Sequence, residues 1–189
     1  MTRTAVLRPP ASALLASLAL AGVLVACAGA GGNPGIGIAS GFDAITFPAG
    51  HRKPVPNFSG TTLRGDQPIS VTILSGKVGV VNFWGSWCGP CRREQGPLEM
   101  LSKQYGARVQ FVGINARRDQ KAAALAYLDE FDVTYPSVYN PDSSIAYAFR
   151  VRFMPATFVI DRQGKIAAEF IGAIADVNQL RALIDAELS

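Results

Sequence analysis

The sequence predicts an α/β domain in which a central mixed sheet is flanked by helices and preceded by an N-terminal β-hairpin. Three observations predict it. Two mostly apolar runs, Val78–Trp84 and residues 109–115, have the continuous hydrophobicity of strands buried on both faces. Each run is followed by a segment with helical periodicity. A later pair of runs, residues 156–161 and 165–171, flanks Arg162, Gln163 and Gly164, which read as the turn of a hairpin.

The elements follow in order. Residues 61–71 read as two short strands about a Gly65-Asp66 turn, and the strand Val78–Trp84 comes next. A helix should begin at or just after Cys88 and run to about Tyr105, with Leu98, Leu101 and Tyr105 on one face. The second buried strand leads to a helix over 119–131, with Asp119 as its N-cap and Leu125 and Leu128 in its apolar stripe. A short helix over 143–149 follows a stretch punctuated by Pro136 and Pro141. After the hairpin, Asp176 and Gln179 form a capping-box-like start to a helix carrying Val177, Leu180, Ile184 and Leu188 at helical spacing. No internal repeat is visible.

With 189 residues, 49% of them hydrophobic, the chain has room for one core of ordinary size. There are 18 Lys and Arg against 14 Asp and Glu. Removing Arg3 and Arg8 with a targeting peptide leaves 16 against 14, a net +2. That balance, without a dense basic run, excludes the electrostatic footprint that nucleic-acid binding requires. Only three cysteines are present, Cys27, Cys88 and Cys91, so a disulfide-rich scaffold is excluded as well.

Residues 1–26 read as a signal peptide. Arg3 and Arg8 precede residues 11–26, which contain only Ala, Ser, Leu, Gly and Val. That apolar stretch is shorter than the roughly 20 residues of a spanning helix, and the basic-then-apolar order is that of an export signal. Leu24-Val25-Ala26-Cys27 resembles the lipobox of bacterial lipoproteins, which implies lipidation of Cys27 and an extracytoplasmic chain anchored to the cell membrane. An uncleaved anchor, or a plain secretory signal with an incidental cysteine, remains the alternative. Residues 27–53 then form a flexible, glycine-rich tether and a proline-containing lead-in, and residues 54–189 form the folded domain.

The chemistry concentrates in Trp87-Cys88-Gly89-Pro90-Cys91, placed after a buried strand and at a helix start. Free backbone amides and the helix dipole favour a thiolate there. Cys88 is therefore the candidate nucleophile, forming a mixed disulfide that Cys91, one turn deeper, resolves. Pro90 sits where a helix start can spare an amide. A purely structural disulfide and half of a zinc site are the other readings of such a pair. The zinc reading lacks partners, because His51 is the only histidine and no second cysteine pair exists. His51 itself reads as a solvated polar residue of the lead-in.

These residues make the sequence similar to the thioredoxin superfamily, and specifically to its TlpA/ResA/CcmG (DsbE) branch of membrane-tethered thiol-disulfide oxidoreductases. The resemblance covers about residues 54–189. It rests on Pro56-Asn57-Phe58, on the run from Val81 through Trp84, Cys88 and Cys91 to Glu94, and on Met154-Pro155-Ala156-Thr157-Phe158 with Gly164-Lys165-Ile166. It implies the thioredoxin fold with the branch's central insertion, placed at about residues 116–140. It implies that Pro155 is a cis-proline beside the cysteine pair, leaving the backbone of Met154 free to pair with a substrate strand. Asn82 stands where cytoplasmic thioredoxins carry a buried Asp. Glu94 matches an acidic residue of this branch and is the candidate proton acceptor for Cys91, against the alternative of a solvated carboxylate in a helix's first turn. Trp87 is expected to shield Cys88 and offer substrate an apolar contact, while Trp84 reads as core. Arg92 and Arg93 read as solvated, with thiolate stabilisation as the alternative.

Two departures stand out. Phe153 replaces the family's usual Gly, which predicts a bulkier rim, and Pro97 lies six residues after Cys91 rather than five, which predicts a displaced kink. What the resemblance implies functionally is a reductase of extracytoplasmic protein disulfides, among them apocytochrome c, with electrons from a membrane protein of CcdA or DsbD type. No cofactor is expected beyond the redox-active disulfide, and no metal. The alternatives are an oxidant that introduces disulfides, a thiol peroxidase, and a lipoprotein that only binds partners. The peroxidase reading lacks the Pro and Thr that such enzymes place before the attacking cysteine.

Overall fold

The computed structural model describes residues 44–189. The expected signal peptide over 1–26, Cys27 and most of the tether lie outside the described residues. Among those described, no helix is long and apolar enough to cross a membrane.

Six strands form one mixed sheet: β1 (Ile45–Thr46), β4 (Val78–Trp84), β5 (Val109–Ala116), β6 (Ser137–Asn140), β7 (Ala156–Ile160) and β8 (Ile166–Ile171), in the order β1-β8-β7-β4-β5-β6. The pairs β4–β5 and β5–β6 are parallel, while β4–β7, β7–β8 and β1–β8 are antiparallel. Every residue of β4 and β7 is buried, as expected of central strands covered on both faces. A separate hairpin pairs β2 (Ser59–Thr61) with β3 (Pro68–Ser70), about the turn that Gly65 and Asp66 allow by adopting positive φ.

Helices α1 (Gly89–Tyr105), α2 (Lys121–Glu130) and α4 (Val177–Leu188) supply Leu98, Leu101, Tyr127, Leu180 and Ile184 to one core cluster. Helix α3 (Ser144–Ala148) joins a second cluster with Phe58, Phe83, Phe149 and Phe158. Residues 116–140, the expected insertion, build α2 and the edge strand β6.

Two expectations need correction. Residues 44–53, read as a lead-in outside the domain, pack with it: Ile45 and Thr46 pair with Glu169 and Ala168, and Arg52 donates to both Glu187 (2.7 and 2.8 Å) and Asp161 (3.0 Å). A two-residue strand carries no readable periodicity, so only its partner reveals it. Asp119 is not a helix N-cap, for α2 begins at Lys121 with Gln120 as cap. Consecutive left-handed residues Arg117 (φ 63°) and Arg118 (φ 55°) turn the chain and aim Asp119 elsewhere. Pro97 lies inside α1. The hydrogen bond that proline forfeits belongs to Arg93, and both residues are exposed.

Candidate active site

Strand β4 delivers the chain to Gly85, Ser86 and Trp87, and α1 starts immediately after Cys88. Cys88 is the N-cap of α1, its Sγ accepting the backbone N–H of Cys91 at 3.3 Å. Cys88 and Cys91 form a disulfide with Cα atoms 5.3 Å apart. Cys88 is 4% exposed and Cys91 1%, so the outer sulfur belongs to Cys88, though both residues are nearly covered in the oxidised pair. On reduction, a sulfur at the cap position meets the same N–H and the positive end of a long helix, both of which favour its negatively charged form.

Glu94 lies one turn beyond Cys91 on the same helix and is 4% exposed. Its carboxylate accepts from Asn82 Nδ2 at 3.0 Å and from the backbone N–H of Ile174 at 3.0 Å. Burial outweighs those two bonds and pushes its pKa up to about 7. Asn82 also donates to Thr157 Oγ1 at 3.0 Å, which is why an amide suits the position: one NH₂ group serves two acceptors. The solvated-carboxylate alternative for Glu94 is excluded by this burial.

The register of β4 on β7 sets Asn82 opposite Thr157 and Phe83 opposite Ala156, so Met154 and Pro155 fall at the end of β4 that leads to Cys88. The Met154-Pro155 peptide is cis. Pro155 is buried, Met154 is half-buried, and among the described residues no hydrogen bond engages the backbone of Met154. Trp87 is 58% exposed and Phe153 70%. The ring of Trp87 folds over Gly85, where a Cβ would stand 2.9 Å from Trp87 Cε2. Trp84, by contrast, is core, stacked on Tyr127 with ring centres 4.4 Å apart. Arg92 is committed to an ion pair with Glu130 and to the rings of Tyr127 and Phe131, so it is not a free cation for the thiolate.

Asp119 is the site residue that sequence reasoning misplaced. Its carboxylate accepts from Ser86 N–H and Ser86 Oγ, each at 2.6 Å, and from Asn115 Nδ2 at 2.7 Å. Its one legible signal was position: β4 and β5 are parallel, so the residues just past both strands gather at one edge of the sheet. Among the described residues no group of three or more His, Cys, Asp or Glu converges as a metal site would require.

Comparison with known proteins agrees with this geometry. The chain is 36% identical over 124 residues to the thiol:disulfide interchange protein DsbE of Allochromatium vinosum, covering 65% of this chain and 67% of that one. It is 31% identical over 121 residues to the thiol-disulfide oxidoreductase ResA of Bacillus cereus, covering 64% and 69%. Among solved structures, a DsbF homologue from Corynebacterium diphtheriae matches with a TM-score of 0.71 at 31% identity, over 79% of this chain and 96% of its own. A secreted thiol-disulfide isomerase from Corynebacterium glutamicum matches with a TM-score of 0.69 at 26% identity, over 79% and 96%. The Redoxin family model matches residues 50–184, a span that takes in the cysteine pair, Glu94 and Pro155. On that match the chain belongs to the Redoxin family, as a thiol-disulfide oxidoreductase whose redox pair is Cys88 and Cys91.

Proposed function

We propose that the protein reduces disulfides in extracytoplasmic proteins, apocytochrome c among them, and is held at the membrane through lipidated Cys27. The observation that carries the catalytic part is the buried Glu94 one turn from Cys91, with a pKa raised to about 7 by burial. In the reduced protein the Cys88 thiolate attacks a substrate disulfide and expels one substrate thiolate. Glu94 accepts the proton of Cys91, and the Cys91 thiolate then attacks Cys88 Sγ and expels the second. Two electrons pass to the substrate and the Cys88–Cys91 disulfide forms. Trp87 and Phe153 offer the substrate apolar contact, and the unpaired backbone of Met154 beside Pro155 aligns its strand. A membrane thiol carrier of CcdA or DsbD type restores the dithiol.

Support for this direction and place comes from the relatives named DsbE and ResA and from a signal-like N-terminus. A second reading, an oxidant or isomerase of exported proteins, is favoured by the neighbour named as a secreted thiol-disulfide isomerase. The reduction potential of the Cys88–Cys91 pair, equilibrated against thiol buffers, separates them. A value near or below about −220 mV supports the reductase, and one near −120 mV assigns an oxidant.

A further inference from the structure

Beside the cis-proline, on the face of the sheet that carries α3, lies a cavity of about 640 Å³ that the redox chemistry does not use. It is walled by Phe47 and Pro54 from the N-terminal segment and by Phe149 and Phe158 of the second core cluster, with Phe153 and Ile171 at its mouth. Those last two are among the most exposed large apolar residues described, at 70% and 50%. Exposed apolar surface of this kind marks a contact site, and Phe153 and Ala156 of its lining flank the Met154-Pro155 peptide in sequence.

The mouth of the cavity adjoins the cis-proline in sequence and in strand register. Phe153 is two residues before Pro155, Ile171 stands opposite Ala156 in the β7–β8 register, and the N–H of Gly172 donates to Pro155 O at 2.9 Å. A polypeptide aligned on the Met154 backbone therefore runs onto Phe153 and Ile171. Charge at the rim is one-sided. Lys53, Arg150 and Arg152 line the cavity against a single acid, Glu169, which is half-buried and lies in the field of Lys53. Among the described residues, the side chains of Arg150 and Arg152 have no hydrogen-bond or ion-pair partner. Their backbone is nonetheless held, because Arg117 donates to Val151 O at 3.2 Å and Arg152 O at 2.5 Å.

We propose that this cavity is a second substrate subsite, which takes a segment of the substrate protein combining a large apolar side chain with acidic residues, next to the disulfide being exchanged. The inference rests on the oxidoreductase reading and adds a specificity to it. Residues 28–41 of the chain itself are a poorer occupant, since they carry no Asp or Glu to meet the two arginines.

The test uses three peptides that share one Cys-x-x-Cys disulfide and a Leu-Phe arm on each side, flanked by Asp and Glu, by Ser, or by Lys. The reduced protein should act on the acidic peptide with a kcat/KM about fivefold above the Ser peptide and further above the Lys peptide, with the gap closing at high salt. The double variant Arg150→Glu/Arg152→Glu should reverse that order while keeping its rate with dithiothreitol. Equal rates on all three peptides, or an order unchanged in the variant, would overturn the subsite and leave the cavity to another occupant such as residues 28–41. A protein inert toward every peptide and toward dithiothreitol would overturn the oxidoreductase reading, and the subsite with it.

Discussion

Asp119 holds Ser86 by both its backbone N–H and its hydroxyl, each at 2.6 Å. The bond spans 33 residues of sequence and fixes the loop that carries Trp87 into Cys88. Asp119 is 3% exposed, and Asn115 donates to it as well, so removing the carboxylate strands buried donors. Asp119→Ala is expected to destabilise the protein by roughly 2 to 3 kcal/mol in urea unfolding. It should also slow disulfide exchange, because Cys88 loses its fixed approach, and Asp119→Asn should recover part of both.

Nucleophile and resolving cysteine are distinguished by trapping. Cys88 carries the cap-position sulfur that a helix N-terminus activates. Cys91→Ser is therefore expected to accumulate mixed disulfides with protein substrates on non-reducing gels, and Cys88→Ser to accumulate none. Capture by neither variant would leave a passive binding protein.

Glu94 makes stability pH-dependent in a definite direction. Its pKa is raised by burial from 4.5 to about 7, so between those values the folded state binds more protons than the unfolded. The stabilisation is fully present below pH 4.5 and is lost as pH rises through about 7, by roughly 3 kcal/mol in all. Glu94→Gln should flatten that part of the urea-midpoint profile. It should also lower the rate at which Cys91 resolves a mixed disulfide at neutral pH, with little effect on the first attack by Cys88.

Gly113 is a packing requirement rather than a flexible point. It lies within β5, and a Cβ there would stand 2.7 Å from Trp84 Nε1 while also meeting the Ser137 hydroxyl. Trp84 is held against Tyr127 and has nowhere to move. Gly113→Ala should cost about 1 to 3 kcal/mol by calorimetry or urea unfolding.

Much of this was legible in the sequence because the signals were local. The strand Val78–Trp84 and the helix that follows it are contiguous, and so are the two cysteines, so their joint placement at a helix start follows from neighbouring residues alone. The hairpin of β7 and β8 needs only the turn at Gly164, whose φ of 72° suits glycine. Glu94 was reached through resemblance, because nothing in a carboxylate at a helix start foretells burial: its partners Asn82 and Ile174 lie 12 and 80 residues away.

The sequence by itself determined the chemistry: a Cys-Gly-Pro-Cys pair after a buried strand, on a chain with one core and one redox couple. Tertiary structure decided the surroundings. It seated β1 on β8 and so brought residues 44–53 into the domain, turned Asp119 back to Ser86, and buried Glu94 between Asn82 and Ile174. It also opened a basic-rimmed apolar cavity beside Pro155. The physical reason is range. Periodicity, caps and turns are set by residues within a few positions of one another, whereas burial, and with it a raised pKa, depends on which distant segments the sheet places side by side.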